Sequence, residues 1–180
     1  MLKYSKSIAD GLTELRAVLA VYIACLGISR GPGALPKVVM AVIISWITDI
    51  LDGPLARCDP DERQTWVGEH DAEADLTTSI GLSIYLICAD YMASCLGIVL
   101  LGTMIGLWLM HSHQLAWPFY AVPYVMLTVV AFKAAPLLGW ALLIYVVCAL
   151  LVHWRRFKDQ YLPEFFAAMR ALSVGRGPEH

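Results

Sequence analysis

Residues 49–75 read DILDGPLARCDPDERQTWVGEHDAEAD and hold nine of the chain's fifteen acidic residues. Asp49 and Asp52 sit three apart at the end of one apolar segment. Asp71 and Asp75 sit four apart at the start of the next. On helices those spacings put each pair on one face. Four carboxylates brought together repel one another and stay ionised only beside positive charge. Hard oxygen donors in such a set suit a divalent cation, Mg²⁺ or Mn²⁺.

The rest of the chain is strongly apolar. Over 180 residues, 59% are hydrophobic and the mean hydropathy is +0.64, too apolar for an ordinary soluble globule. The composition predicts an all-α integral membrane protein of one domain, with six transmembrane helices and short interfacial helices at both termini. The spans are expected at about 13–29, 36–57, 67–90, 94–110, 118–133 and 136–154. Residues 1–12, with Leu2, Ile8 and Leu12 among Lys3, Lys6 and Asp10, are expected to form a surface helix, and 155–180 an interfacial or frayed tail. The turn formers Arg30-Gly31-Pro32-Gly33 close the first span, and Pro123 is expected to bend the fifth. The apolar run 17–27 behind Lys3 and Lys6 is read as an uncleaved first helix, because further spans follow it.

Cys25, Cys58, Cys88, Cys95 and Cys148 are scattered singly, which excludes a disulfide framework and a CxxC zinc site. With both termini, the 58–67 loop and the 111–117 loop on one side, ten of the thirteen Lys and Arg residues gather there. Only Arg30, Lys37 and Lys133 fall on the other side. The positive-inside rule then makes the crowded side cytoplasmic, and the four aspartates lie just inside that boundary. The expected location is the cytoplasmic (inner) membrane, and no nucleic-acid partner is expected.

Intramembrane carboxylates mark function because each is costly unless paired or hydrated. A lone aspartate at a helix end can be a solvated cap, but four at matched spacings exceed that reading. The run Asp49, Asp52, Gly53, Ala56, Arg57, then Gly68, Asp71 and Asp75, resembles the signature of the CDP-alcohol phosphotransferases, DxxDGxxAR followed by GxxxDxxxD. DGLTELR at 10–16 resembles the LTxxR run that opens the first helix of many members. One feature departs from the pattern: Gly68 stands one position nearer Asp71, with Val67 in the usual glycine place, while the carboxylates keep their register.

The resemblance implies a homodimeric six-helix enzyme of phospholipid biosynthesis. Such an enzyme transfers a substituted phosphate from a CDP-alcohol, CDP-diacylglycerol foremost, to a hydroxyl acceptor with release of CMP. It implies two metal ions held by Asp49, Asp52, Asp71 and Asp75, with Asp75 also taking the acceptor's proton. Gly53, Ala56 and Arg57 would meet the CDP moiety. Against this, Gly53 can be a helix C-cap before Pro54, and Arg57 a positive-inside anchor. Other readings of the same carboxylates are a divalent-cation transporter, a metal-binding membrane protein and a catalytically silent family member.

The remaining candidates carry less. His111 and His113, two apart, share no helical face. His70 neighbours Asp71 and is either in contact with the site or solvated. Thr78, Ser79 and Ser83 lie on the side of Asp75 and either line an acceptor pocket or pack between helices. Arg16, Arg63 and the cluster Arg155, Arg156 and Lys158 are read mainly as topology signals that could also attract anionic groups. The tryptophans are read as interface anchors or core packing rather than a substrate cage.

Overall fold

The computed structural model describes residues 5–57, 71–110 and 113–152, with isolated positions between 154 and 166. Its side-chain description stops at Leu51 and resumes at Glu73. The expected surface tail, Arg63, Gly68, His70, His111, Arg155 and Arg156 lie outside the described residues.

The described chain is all-helical. Its elements are α1 (Ser5–Arg30), a 3-10 turn (Gly31–Ala34), α2 (Leu35–Arg57), α3 (Asp71–Cys88), α4 (Ser94–Leu109), α5 (His113–Ala134) and α6 (Pro136–Val152). The segment Gly11–Leu51, which takes in α1 and α2, is the one span among the described residues long and apolar enough to cross a membrane. Ser94–Leu109, Pro118–Ala134 and Pro136–Leu151 are shorter apolar helices.

The boundaries follow from local chemistry. Gly31 adopts φ 54°, a left-handed conformation that glycine takes without a side-chain clash, and it ends α1. Pro32 then opens the 3-10 turn and Pro36 falls in the first turn of α2, where a missing N–H costs nothing. Pro136 does the same at the start of α6, with only Ala135 between it and the end of α5.

Several expectations are corrected. Residues 5–12 are not a separate surface helix, because α1 runs unbroken from Ser5 through Gly11 to Arg30. The fifth helix begins at His113 rather than Pro118, so both Pro118 and Pro123 lie inside it and remove donors from its ladder. His113 is therefore a first-turn residue of α5, not the end of α4. The third helix stops at Cys88, short of Asp90, which takes φ 58°. The Tyr91 N–H donates to the Leu86 carbonyl at 2.9 Å and the Asp90 N–H to that of Ile87 at 3.1 Å. This is a Schellman closure with aspartate in the position usually held by glycine.

Arg16 and Asp49 lie almost equally far from the turn at 31–34, so α1 and α2 form an antiparallel hairpin. The contacts Arg16–Asp75 and Ala20–Gly81 advance together along both chains, which makes α1 and α3 parallel. Among the described residues, α1 packs on both α2 and α3, while α2 and α3 have little direct packing. The acid-bearing helices are thus not a face-to-face hairpin but flank α1. Helix α5 backs α3 and α6, and α4 leans on α5 and α3.

The core between them is apolar, with Ile23, Val38, Val42, Leu82, Leu86 and Leu127 fully buried. Outward positions are apolar as well, including Ile28, Ile98, Leu137, Ile144 and Leu151. The four described cysteines are free.

The α1–α3 crossing is tight at one point. A Cβ on Gly81 would stand 2.3 Å from the Ala20 carbonyl oxygen, a backbone atom that cannot swing aside. Gly81→Val is therefore expected to cost about 1–3 kcal/mol through overpacking. Gly102→Val, where an added Cβ meets nothing within 4 Å, should cost less than about 1 kcal/mol. Denaturation midpoints of the two variants in one detergent check this, and equal losses would contradict the crossing.

Candidate functional site

Arg16 is the least expected residue of the site. Its side chain is 1% exposed in the middle of α1. A guanidinium there is strongly disfavoured without opposite charge close by. The charge is supplied by both flanking helices. Nη1 donates to Asp49 Oδ1 at 2.5 Å and to Asp75 Oδ1 at 3.1 Å. Because both bonds start on the same nitrogen, the two carboxylates lie within bridging reach of each other. Their side chains remain 44% and 57% exposed. Arg16 therefore reaches them from the buried side and leaves part of each carboxylate open.

The level at which they meet follows from the topology. Asp49 lies in the third quarter of α2 and Asp75 in the second turn of α3, and antiparallel and parallel packing on α1 bring both to the height of Arg16. Asp52 follows Asp49 by three positions on α2, and Asp71 opens α3 four positions before Asp75. Gly53, Ala56 and Arg57 complete the last turn and a half of α2. The side chains of these last five lie outside the described ones, so of the four expected metal ligands the structure brings two together, Asp49 and Asp75. Among the described residues, no three His, Cys, Asp or Glu side chains converge.

The hydroxyls after Asp75 are turned inward and bonded. Thr78 Oγ1 donates to the Ala74 carbonyl at 2.9 Å, Ser79 Oγ to that of Asp75 at 2.9 Å, and Ser83 Oγ to that of Ser79 at 2.8 Å. All three residues are buried. Each hydroxyl is thus satisfied by a carbonyl of its own helix, four residues back. Ser79 Oγ also approaches the Tyr120 carbonyl at 3.3 Å, tying α3 to α5.

An aromatic wall stands beside the carboxylates. Trp46, three residues before Asp49 on α2, stacks on Tyr145 of α6 with centroids 5.2 Å apart and planes 15° apart. It also lies 5.2 Å from Tyr124 of α5. Tyr124 is within electrostatic range of Asp75, Asp49 and Arg16, and Tyr145 of Asp49. The buried hydroxyls of Tyr120 and Tyr145 have no hydrogen-bond partner among the described residues. Trp46 is half-buried against the core, and its place next to Asp49 was detectable only as a three-residue spacing.

No protein-family model, curated protein or solved structure matches the chain.

The arrangement sets a stability test. Asp49→Asn keeps the shape and removes the charge nearest Arg16. Allowing for the half-exposed carboxylate, the loss should be about 1–2 kcal/mol. The control Asp90→Asn, in a left-handed position that Asn accepts readily, should stay within about 0.5 kcal/mol of the starting protein. Chemical denaturation of both variants checks the difference, and no loss for Asp49→Asn would remove the ion pair from the account.

Proposed function

We propose that the chain is a CDP-alcohol phosphotransferase. It would move a substituted phosphate from a CDP-alcohol, CDP-diacylglycerol foremost, to the hydroxyl of a second alcohol. The observation that carries this reading is the meeting of Asp49 and Asp75 at one level of the bundle, beside the DGxxAR run that resembles the family's donor-binding segment.

The donor set suits the metal that the resemblance implies. Two carboxylates, each about half exposed and bridged from behind, offer hard oxygen ligands toward solvent. Asp49, Asp52, Asp71 and Asp75 would hold Mg²⁺ or Mn²⁺, two ions in this reading. The bound metal supplies positive charge against the phosphate oxygens of donor and leaving group.

The chain's own residues do the rest. Asp75 accepts the proton of the acceptor hydroxyl. The acceptor oxygen bonds to the phosphorus that carries the donor's alcohol, and the bond from that phosphorus to the oxygen of CMP breaks. Gly53 and Ala56 leave room for the cytidine, and the fork of Arg57 suits the pyrophosphate. The Trp46–Tyr124–Tyr145 cluster would form the apolar side of the site.

In this reading the six helices cross the cytoplasmic membrane, both termini and the site face the cytoplasm, and the protein is a homodimer. The apolar exterior of α4 and α6 and the uneven Lys and Arg placement support it. At ~1.5 Å per residue, α1 and α2 exceed the ~30 Å of hydrocarbon. Helices α4 and α6, of 16 and 17 residues, fall short and would be met by local thinning of the bilayer.

Purified protein in vesicles with labelled CDP-diacylglycerol, Mg²⁺ or Mn²⁺ and a panel of alcohols is expected to release CMP with at least one acceptor. Asp75→Asn should lower the rate about 10²–10⁴-fold, the span typical of losing a general base. Release of CMP excludes both the transporter and the silent-member readings. No release with any acceptor, together with an Asp75→Asn protein indistinguishable from the original, overturns the proposal.

A further inference from the structure

The metal reading leaves a question that the geometry answers. Carboxylates gathered for a divalent ion repel one another whenever the ion is absent. Helices α2 and α3 have little packing of their own to resist it.

We infer that Arg16 is the resident counter-cation of the acidic site, a positioning residue that holds Asp49 and Asp75 at their working separation before a divalent ion arrives. This rests on the transferase reading of the carboxylates. Three observations carry it. The Arg16 side chain is 1% exposed, so it is not a membrane-surface anchor. One nitrogen, Nη1, serves both Oδ1 atoms, so the guanidinium sits where it links the helices rather than pairing with either alone. Asp49 and Asp75 keep 44% and 57% exposure, so the ligand side stays open.

Arg16 also suits this role chemically. A guanidinium keeps its charge under all physiological conditions, and its planar fork fixes direction as well as distance. The remainder of its length lies in apolar surroundings, which a flexible surface cation would not require. Because it approaches from the interior, it offsets repulsion without taking the outward ligand positions. The site is thereby assembled in advance, and a divalent ion meets carboxylates already in place.

The consequence is a defined coupling between Arg16 and metal. With Arg16 present, metal adds modest stability, because part of the repulsion is already offset. Without it, metal must do the assembling.

The test is thermal unfolding of the full chain in nanodiscs, in EDTA and in saturating Mg²⁺ or Mn²⁺, for the native protein, Arg16→Met and Arg16→Lys. Arg16→Met keeps apolar bulk and removes the charge. Its midpoint in EDTA should fall by on the order of 5 °C, and its rise on adding metal should be at least about twice the native rise. An Arg16→Met protein that folds only with metal is the extreme form of the same result. Arg16→Lys keeps a charge and should restore most of the native response. A native rise that Arg16→Met leaves unchanged, or an Arg16→Lys protein that behaves as Arg16→Met, overturns the inference alone. If the native protein and both variants ignore divalent ions, the metal-dependent reading of the site fails and this inference with it.

Discussion

One buried guanidinium holds the acidic end of this bundle together. Arg16 lies in the interior of α1 and bonds a carboxylate from each neighbouring helix. In water such a pair would be worth little; for a guanidinium buried away from water, opposite charge close by offsets the cost of its burial. The cation cannot sit there without Asp49 and Asp75. They in turn meet only because α1 stands between α2 and α3.

That placement depends on packing well away from the charges. Gly81 lets the backbones of α1 and α3 approach until a Cβ would overlap the Ala20 carbonyl. The turn at 31–34 sets α2 against the other side of α1, with Gly31 supplying a conformation few residues accept. These two features fix the heights of the helices, and the height decides whether Arg16 and the two aspartates coincide. A shift of α3 by one residue, ~1.5 Å along the axis and 100° around it, would carry Asp75 off the face that Arg16 reaches.

The helices were largely legible in the sequence, because long apolar runs bounded by Gly and Pro leave few alternatives. The described residues are helical in each of the six stretches expected as spans, with the turn at 31–34 and the start at Pro136 in place, although only Gly11–Leu51 among them is long and apolar enough to cross a membrane. What escaped has physical causes. Asp90 ends α3 through a left-handed turn, and without a glycine there the stop was invisible. Pro118 looked like a helix start because proline favours that position, yet five residues precede it in α5. Asp49 with Asp52, and Asp71 with Asp75, were readable from spacing alone as same-face pairs. Arg16 was not, since a cation near the membrane boundary is most often an anchor, and only the fold shows that this one points inward between two acids. The Trp46 stack was likewise hidden, because its partners Tyr124 and Tyr145 come from helices about 80 to 100 residues downstream.

The central proposal is that the carboxylates that α2 and α3 bring to either side of α1 form a site for divalent metal beside a buried arginine. Fold and resemblance bear on it from different sides, the first through Asp49, Asp75 and Arg16, the second through the whole of the DGxxAR stretch. Anomalous diffraction from crystals grown with Mn²⁺ addresses it most directly. Anomalous density in contact with the carboxylate oxygens of Asp49 and Asp75, lost in crystals of the Asp49→Asn/Asp75→Asn double variant, is the expected result. Manganese bound only elsewhere, with both carboxylates still engaged by Arg16 alone, would contradict the claim.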